Sequence, residues 1–505
     1  MPGDPDAKAS RKETGIRRMR LATDLLGIVA LGVVCSCNLL SGAPSAVMPE
    51  PGEPPSGQTG APPPTSRAEI PSGQVLGVDA FEYLGAFRLP GGDERPETFA
   101  YGGNAMTYRP DGDPGGSADG FPGSLFITGH TRLPYGELPN GDQVAEIDIP
   151  APVQSDSIQA LGQAEFLQKF EDVARGYFEG LDEITRVGMV YLDHPATGPR
   201  IHLTWGQHLQ PDQPFGTHAW FDPALDRPNM TGPWVLDAPL AYSLNGYMLE
   251  IPQAWAETYT DGYPVGTGRF RDGGWSGMGP ALHAYRPWTD GGAPAADGSR
   301  LPVVTLLQYE SSEVTETFEH ALVGYQHPDE WEGAAWLTTP AGESAVLFAG
   351  TKSTGDKYWY GYVNPQGADR PCVDQELVGQ YTVCRMADGT ACPDSDLREC
   401  AGHTDYRGWW TTRFEAMFLL YDPADLAAVA SGAKASWVPQ PYAQITIDGV
   451  LFSNPSGVET DMLGTGDQRR YRIGEASFDR QNGLLYLLEL FADGAKPVVH
   501  VWRVG

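Results

Sequence analysis

From residue 80 to residue 505 the chain is a procession of short apolar runs, each closed by Gly, Pro, Asp or Asn, and long helical periodicity is nearly absent. Such runs include GGNAMTY at Gly102, SLFITGH at Ser124, VAEIDI at Val144, VGMVYL at Val187 and RIHLTWG at Arg200. They continue with PVVTLLQY at Pro302, SAVLFAGT at Ser344, WYGYV at Trp359, AMFLLYD at Ala416, EASFD at Glu475, LLYLLEL at Leu484 and VVHVWRV at Val498. Strands of this length and spacing specify an all-β sandwich, barrel or propeller. Apolar residues recur at three and four only in Gln163 to Glu179, Ile251 to Tyr259 and Pro423 to Ala430, which are expected to be the few short helices.

Several runs come in pairs with a shared layout. GNAMTYRPDG precedes GSLFITGH, GMVYLDHPATG precedes PRIHLTWG, and GEASFDRQNG precedes LLYLLEL. This strand, turn, strand repeat resembles the blades of secreted β-propellers. The resemblance implies five to seven blades, with the long loop insertions favouring the lower number. It also implies ring closure, with FEYLGAFRL at Phe81 to Leu89 joining VVHVWRV in the last blade. Two tandem β-sandwiches are the alternative, although no Pro- or Ser-rich linker interrupts residues 80 to 505.

The N-terminus reads differently. Arg17, Arg18 and Arg20 precede the apolar run Leu25 to Val34, which is too short to span a bilayer and fits a secretory signal. The V-C-S-C segment at Val34 to Cys37 resembles the bacterial lipobox. The resemblance implies cleavage after Ser36, acylation of Cys37 and, because Asn38 and not Asp follows, an outer-membrane address in the cell envelope. Residues 1–36 are thus a lipoprotein-type signal peptide and residues 37–75 a Pro/Gly/Ser tether unable to bury enough surface to fold. Residues 76–505 form the globular domain.

That domain is acidic. The chain carries 34 basic and 65 acidic side chains, a formal net charge of −31, which disfavours nucleic acid and anionic lipid as partners. No cofactor is evident; Ca²⁺ is compatible with the acidity, but no EF-hand-like loop marks a site. Cys372, Cys384, Cys392 and Cys400 fall within one polar stretch, 372–400. In an exported chain they read as two disulfides stapling an insertion, with three possible connectivities. A four-thiolate zinc site is the alternative, although no C-x-x-C knuckle is present.

Three stretches concentrate residues capable of chemistry. Gly266 to Trp288 places Arg269, Arg271 and Trp275 among glycines, a composition suited to a ligand-binding loop at a propeller mouth. Tyr325 to Trp336 holds His327, Trp331 and Glu332, with Glu310 upstream, which could supply acid, base and stacking surface. His218, in FGTHAWFD, and His403, Tyr406 and Arg407, in GHTDYRGWW, set histidine beside aromatics, as a polysaccharide lyase requires. No G-x-S-x-G, H-E-x-x-H or Walker sequence occurs.

Two functions follow. The first is an exported surface or periplasmic lipoprotein whose propeller face binds an extracellular glycan or protein through Arg269, Arg271, Trp275, Trp331, Tyr406 and Arg407. The second is a glycan-active hydrolase or lyase using His218, His327, Glu310, Glu332 and His403. Geometry discriminates between them: convergence of the second set in one central pocket favours an enzyme, and dispersal favours a binder.

Overall fold

The computed structural model describes residues 74–92, 97–113, 115–129, 143–181, 184–207, 216–240, 243–269, 273–312, 318–363, 372–373 and 408–505. The signal peptide, Cys37 and the tether as far as residue 73 lie outside the described residues, as do Cys384, Cys392 and Cys400; the last tether position, Val75, forms a parallel bridge with Ser344 and so belongs to the folded domain. Among the described residues, no helix is long and apolar enough to cross a membrane.

The strands form a five-bladed β-propeller. Blade 1 comprises Met106–Arg109, Ser124–Thr128, Gln143–Ile147 and Phe166–Asp172. Blade 2 comprises Ile184–His194, Gly198–Gln207, His218–Phe221 and Thr231–Leu236, with Arg300–Leu301 added in parallel at its edge. Blade 3 is Met248–Glu250, Val265–Thr267, Leu282–Tyr285 and Val304–Leu307; blade 4 is Glu330–Thr338, Ser344–Ser353, Phe414–Tyr421 and Ala443–Thr446. Between the second and third strands of blade 4 a separate small sheet is inserted, Tyr358–Tyr362 flanked by Cys372–Val373 and Gly408–Thr411. The insertion expected around Cys372 therefore starts on this sheet.

Blade 5 closes the ring. Ile473–Asp479, Leu484–Asp493 and Lys496–Val504 come from the C-terminus, and Phe81–Arg88 adds antiparallel to Lys496–Val504, pairing Phe81 with Val504 and Arg88 with Val498. FEYLGAFRL is thus the fourth strand of the last blade, with VVHVWRV on one side and the short strand Gly162–Gln163 pairing in parallel on the other. The first strand of each blade packs on the first strand of the next around a central axis. At the axis the backbones approach too closely for side chains: a Cβ on Gly333 would stand 2.4 Å from the Ala476 nitrogen, and one on Gly474 2.2 Å from the Gly103 carbonyl oxygen.

One apolar cluster fills each of the five gaps between blades, so both faces of a blade are buried and its strands read as nearly continuous apolar runs. In LLYLLEL, Leu484, Tyr486 and Leu488 pack toward blade 1, while Leu485 and Leu487 pack toward blade 4. Likewise Leu125 and Ile127 face blade 5, and Phe126 faces blade 2.

Two of the three expected helices are present, as Gln253–Tyr259 and Pro423–Ala430; in the second, Asp422 caps the first turn by accepting from the Ala424 amide at 2.8 Å. Residues Gln163 to Glu179 do not form the expected helix; only their end enters a 3-10 turn, Tyr177–Gly180. They form the strands Gly162–Gln163 and Phe166–Asp172, the latter alternating half-buried and exposed positions. Phe166 and Phe170, four apart, also satisfy a strand's period of two, and both rings pack on Phe99.

Candidate functional site

Near the start of each inner strand the chain places a buried polar side chain: Asn104 from blade 1, Arg186 from blade 2, Asn245 from blade 3, Glu332 from blade 4 and Glu475 from blade 5. Arg186 ties the ring together. Its Nη1 donates to Asn104 Oδ1 at 3.4 Å, and its Nη2 donates to Glu332 at 3.0 Å and to the neighbouring Glu330. The guanidinium therefore reaches from blade 2 to blade 4. Its plane also lies over the Tyr471 ring, 5.8 Å from the centroid.

The carboxyls there are unusual. Burial pushes Glu332 well above the ordinary glutamate range, and the neighbouring Glu330 adds to the shift while Arg186 opposes it. Burial raises Glu475 in the same way. Glu475 Oε1 accepts from the Ala334 amide at 3.4 Å, and its other oxygen is buried without a hydrogen bond among the described residues. Asp329, also raised by burial, is held by Lys352 Nζ at 3.0 Å and the Ser353 amide at 2.9 Å.

Beside this core, on the blade 4 side, stands an aromatic wall. His327 lies 4.5 Å from Trp409, 5.6 Å from Tyr358 and 5.7 Å from both Phe318 and Tyr325, centroid to centroid. Tyr360 flanks Trp409 at 5.4 Å. Tyr325 is buried; Phe318 is 44 % exposed, and His327, Tyr358, Tyr360 and Trp409 are half-buried. Arg470 links wall to core: it donates to the Trp409 carbonyl at 3.3 Å, and its guanidinium sits 4.7 Å from the Trp410 ring centre and 4.1 Å from that of Tyr471.

Three stretches singled out in the sequence therefore meet. The Gly273 amide donates to the His327 carbonyl at 3.1 Å, Arg269 Nη2 donates to the Asp329 carbonyl at 3.1 Å, and His327 faces Trp409 from the third stretch. A Cβ on Gly273 would come within 2.6 Å of Trp409 Nε1, so glycine permits the contact.

The other expected residues disperse. His218 is fully buried between blades 2 and 3, its Nδ1 3.0 Å from Thr217 Oγ1 and its Nε2 3.1 Å from Thr267 Oγ1, with burial lowering its pKa to about 3. Glu310 is taken up by His320 at 2.6 Å, and His320 stacks on Trp437. Arg269 is buried, its Nε donating to Ser276 at 3.0 Å. Trp331 is packed in the cluster between blades 3 and 4, whereas Trp275 is 41 % exposed. Arg271, His403, Tyr406 and Arg407 lie outside the described residues. No group of three or more His, Cys, Asp or Glu that could hold a metal occurs among the described residues.

Sequence reasoning passed over Arg186, Glu475 and Lys352, each a charged residue within an otherwise apolar strand, and that interruption was the available signal. No protein-family model matches the chain, and no curated protein matches it.

Proposed function

We propose that this protein is an exported lipoprotein of the cell envelope, acylated at Cys37, whose propeller binds an extracellular carbohydrate on the face around Trp409. The supporting observation is the aromatic wall of Phe318, His327, Tyr358, Tyr360 and Trp409, half-open to solvent beside the Arg186 core. Flat rings with polar edges stack on the apolar faces of sugar rings while neighbouring polar groups meet the hydroxyls. Dispersal of His218 and Glu310 from Glu332 favours binding over catalysis. What favours the catalytic alternative is the pair Glu332 and Glu475, which burial holds toward the neutral acid form a hydrolase needs in its proton donor.

Trp409→Ala is expected to weaken retention on the bound polysaccharide about tenfold, equivalent to about 1.4 kcal/mol of stacking. Affinity electrophoresis of both forms reads this, and unchanged retention sinks the assignment of the face. For the anchor, metabolic labelling with a fatty-acid probe is expected to disappear in Cys37→Ala; label that persists places the lipid elsewhere.

A further inference from the structure

We infer that the outer side of blade 5 carries a second site, apart from the Trp409 face, for a small hydroxylated primary amine of the amino-sugar class. A cavity of about 520 Å³ at the axis is lined by strands of all five blades, but Arg480 and Glu250 pair across it at 3.3 Å. The cavity on blade 5 is larger, about 830 Å³, and lies between Tyr83, residues 154–159 and the segment around Phe452. That volume suits a ligand of one or two sugar rings.

Behind Tyr83 runs a chain of hydrogen bonds across three adjacent strands. Glu489, fully buried, accepts from the Phe452 amide at 2.9 Å and the Ser453 amide at 2.6 Å, and lies 2.9 Å from Nε2 of the fully buried His500. A carboxylate can only accept, so Nε2 carries a proton; in the neutral imidazole Nδ1 is then a bare acceptor. Tyr83 stands 2.9 Å from that Nδ1, so with the imidazole in its neutral form the phenol hydroxyl is the donor. The phenol oxygen consequently has only lone pairs to offer the cavity. The same Glu489 holds the cavity's Phe452 wall, so the relay fixes both the wall and the orientation of the phenol.

The other lining groups agree in sign. Asp156 and Asp493 border the cavity, and no Lys or Arg occurs among its described lining residues. Lys496 stands 3.7 Å from Asp493, whereas Asp156 has no ion pair among the described residues. Carboxylate and phenol acceptors without a lining cation select a ligand rich in donors and positively charged. A carboxylated or phosphorylated ligand is repelled here, the more so on a chain of net charge −31.

The test uses the full chain and two probes, glucosamine and its uncharged analogue N-acetylglucosamine, in neutral buffer where most of the free amine is protonated and a neutral imidazole is the ordinary form. Saturation-transfer NMR titration is expected to give glucosamine at least about tenfold tighter binding than the N-acetyl form. Asp156→Asn, an exposed change that leaves the fold alone, is expected to erase that preference, and Tyr83→Phe to reduce it. Trp409→Ala is expected to leave it intact, which separates this site from the proposed glycan face. Equal binding of the two probes, no glucosamine binding at concentrations on the order of 10 mM, a preference that survives Asp156→Asn, or its loss in Trp409→Ala each overturns the inference.

Discussion

Arg186→Ala is expected to lower the stability of the propeller by about 3–5 kcal/mol, read as a fall in the midpoint of denaturant unfolding. The guanidinium is the shared donor of Asn104, Glu330 and Glu332, and it reaches across the axis from blade 2 to blade 4. Without it Glu332 is a buried carboxyl facing Glu330 with no direct counter-ion. The pH dependence follows from the direction of the shift. A carboxyl whose folded pKa lies above its unfolded value binds more protons when folded, so stability is lost as pH rises from the unfolded value through the folded one. Removing Arg186 raises the folded pKa of Glu332 further and steepens that loss. The variant's deficit should therefore shrink in mildly acidic buffer and be partly relieved by adding Glu332→Gln. A deficit below about 1 kcal/mol, or one independent of pH, would mean that the ring of polar residues is not coupled through Arg186.

A chain beginning at residue 90 is expected not to unfold cooperatively and to aggregate, whereas one beginning at Gln74 keeps the full transition. Phe81–Arg88 pairs directly with Lys496–Val504 in blade 5, and without it the backbone of Lys496–Val504 becomes an open edge. Leucine and valine side chains of the clusters flanking blade 5 would lose Phe81, Phe87 and Leu89 as well. The segment before that strand adds a smaller tie, since the Ser344 amide of blade 4 donates to the Gln74 carbonyl at 3.0 Å. Circular dichroism melting of the two chains reads the difference. A cooperative, fully reversible transition in the shorter one contradicts closure as the source of stability.

Architecture was legible because blade packing writes itself into local pattern. The inner and middle strands are buried on both faces, so runs such as LLYLLEL and SAVLFAGT are apolar throughout and stand out against their turns. Closure was legible for the same reason, since FEYLGAFRL and VVHVWRV are strands left over at the two ends. The segment Gln163 to Glu179 was misread because Phe166 and Phe170 fit both a helical and a strand period over so short a span; the pairing of Phe166–Asp172 with Gln143–Ile147 decided it.

The site was less legible. Histidines drew attention by standing beside aromatics, yet His218 is saturated by two threonine hydroxyls within a blade interface, a contact that only tertiary packing creates. Arg186 and Glu475 drew no attention, because a period of two cannot say that the inner edge of a blade meets four others at an axis. His327 and Trp409, about eighty residues apart in sequence, became neighbours through the sheet inserted in blade 4.

Incubating the domain, residues 76–505, with a panel of neutral and acidic polysaccharides and assaying retention together with new reducing or unsaturated ends tests the proposed function most directly. Retention of at least one glycan, lost in Trp409→Ala and unaccompanied by new ends, is the expected result. Release of new ends makes the protein a glycan-active enzyme, and absence of retention across the panel contradicts carbohydrate recognition on this face.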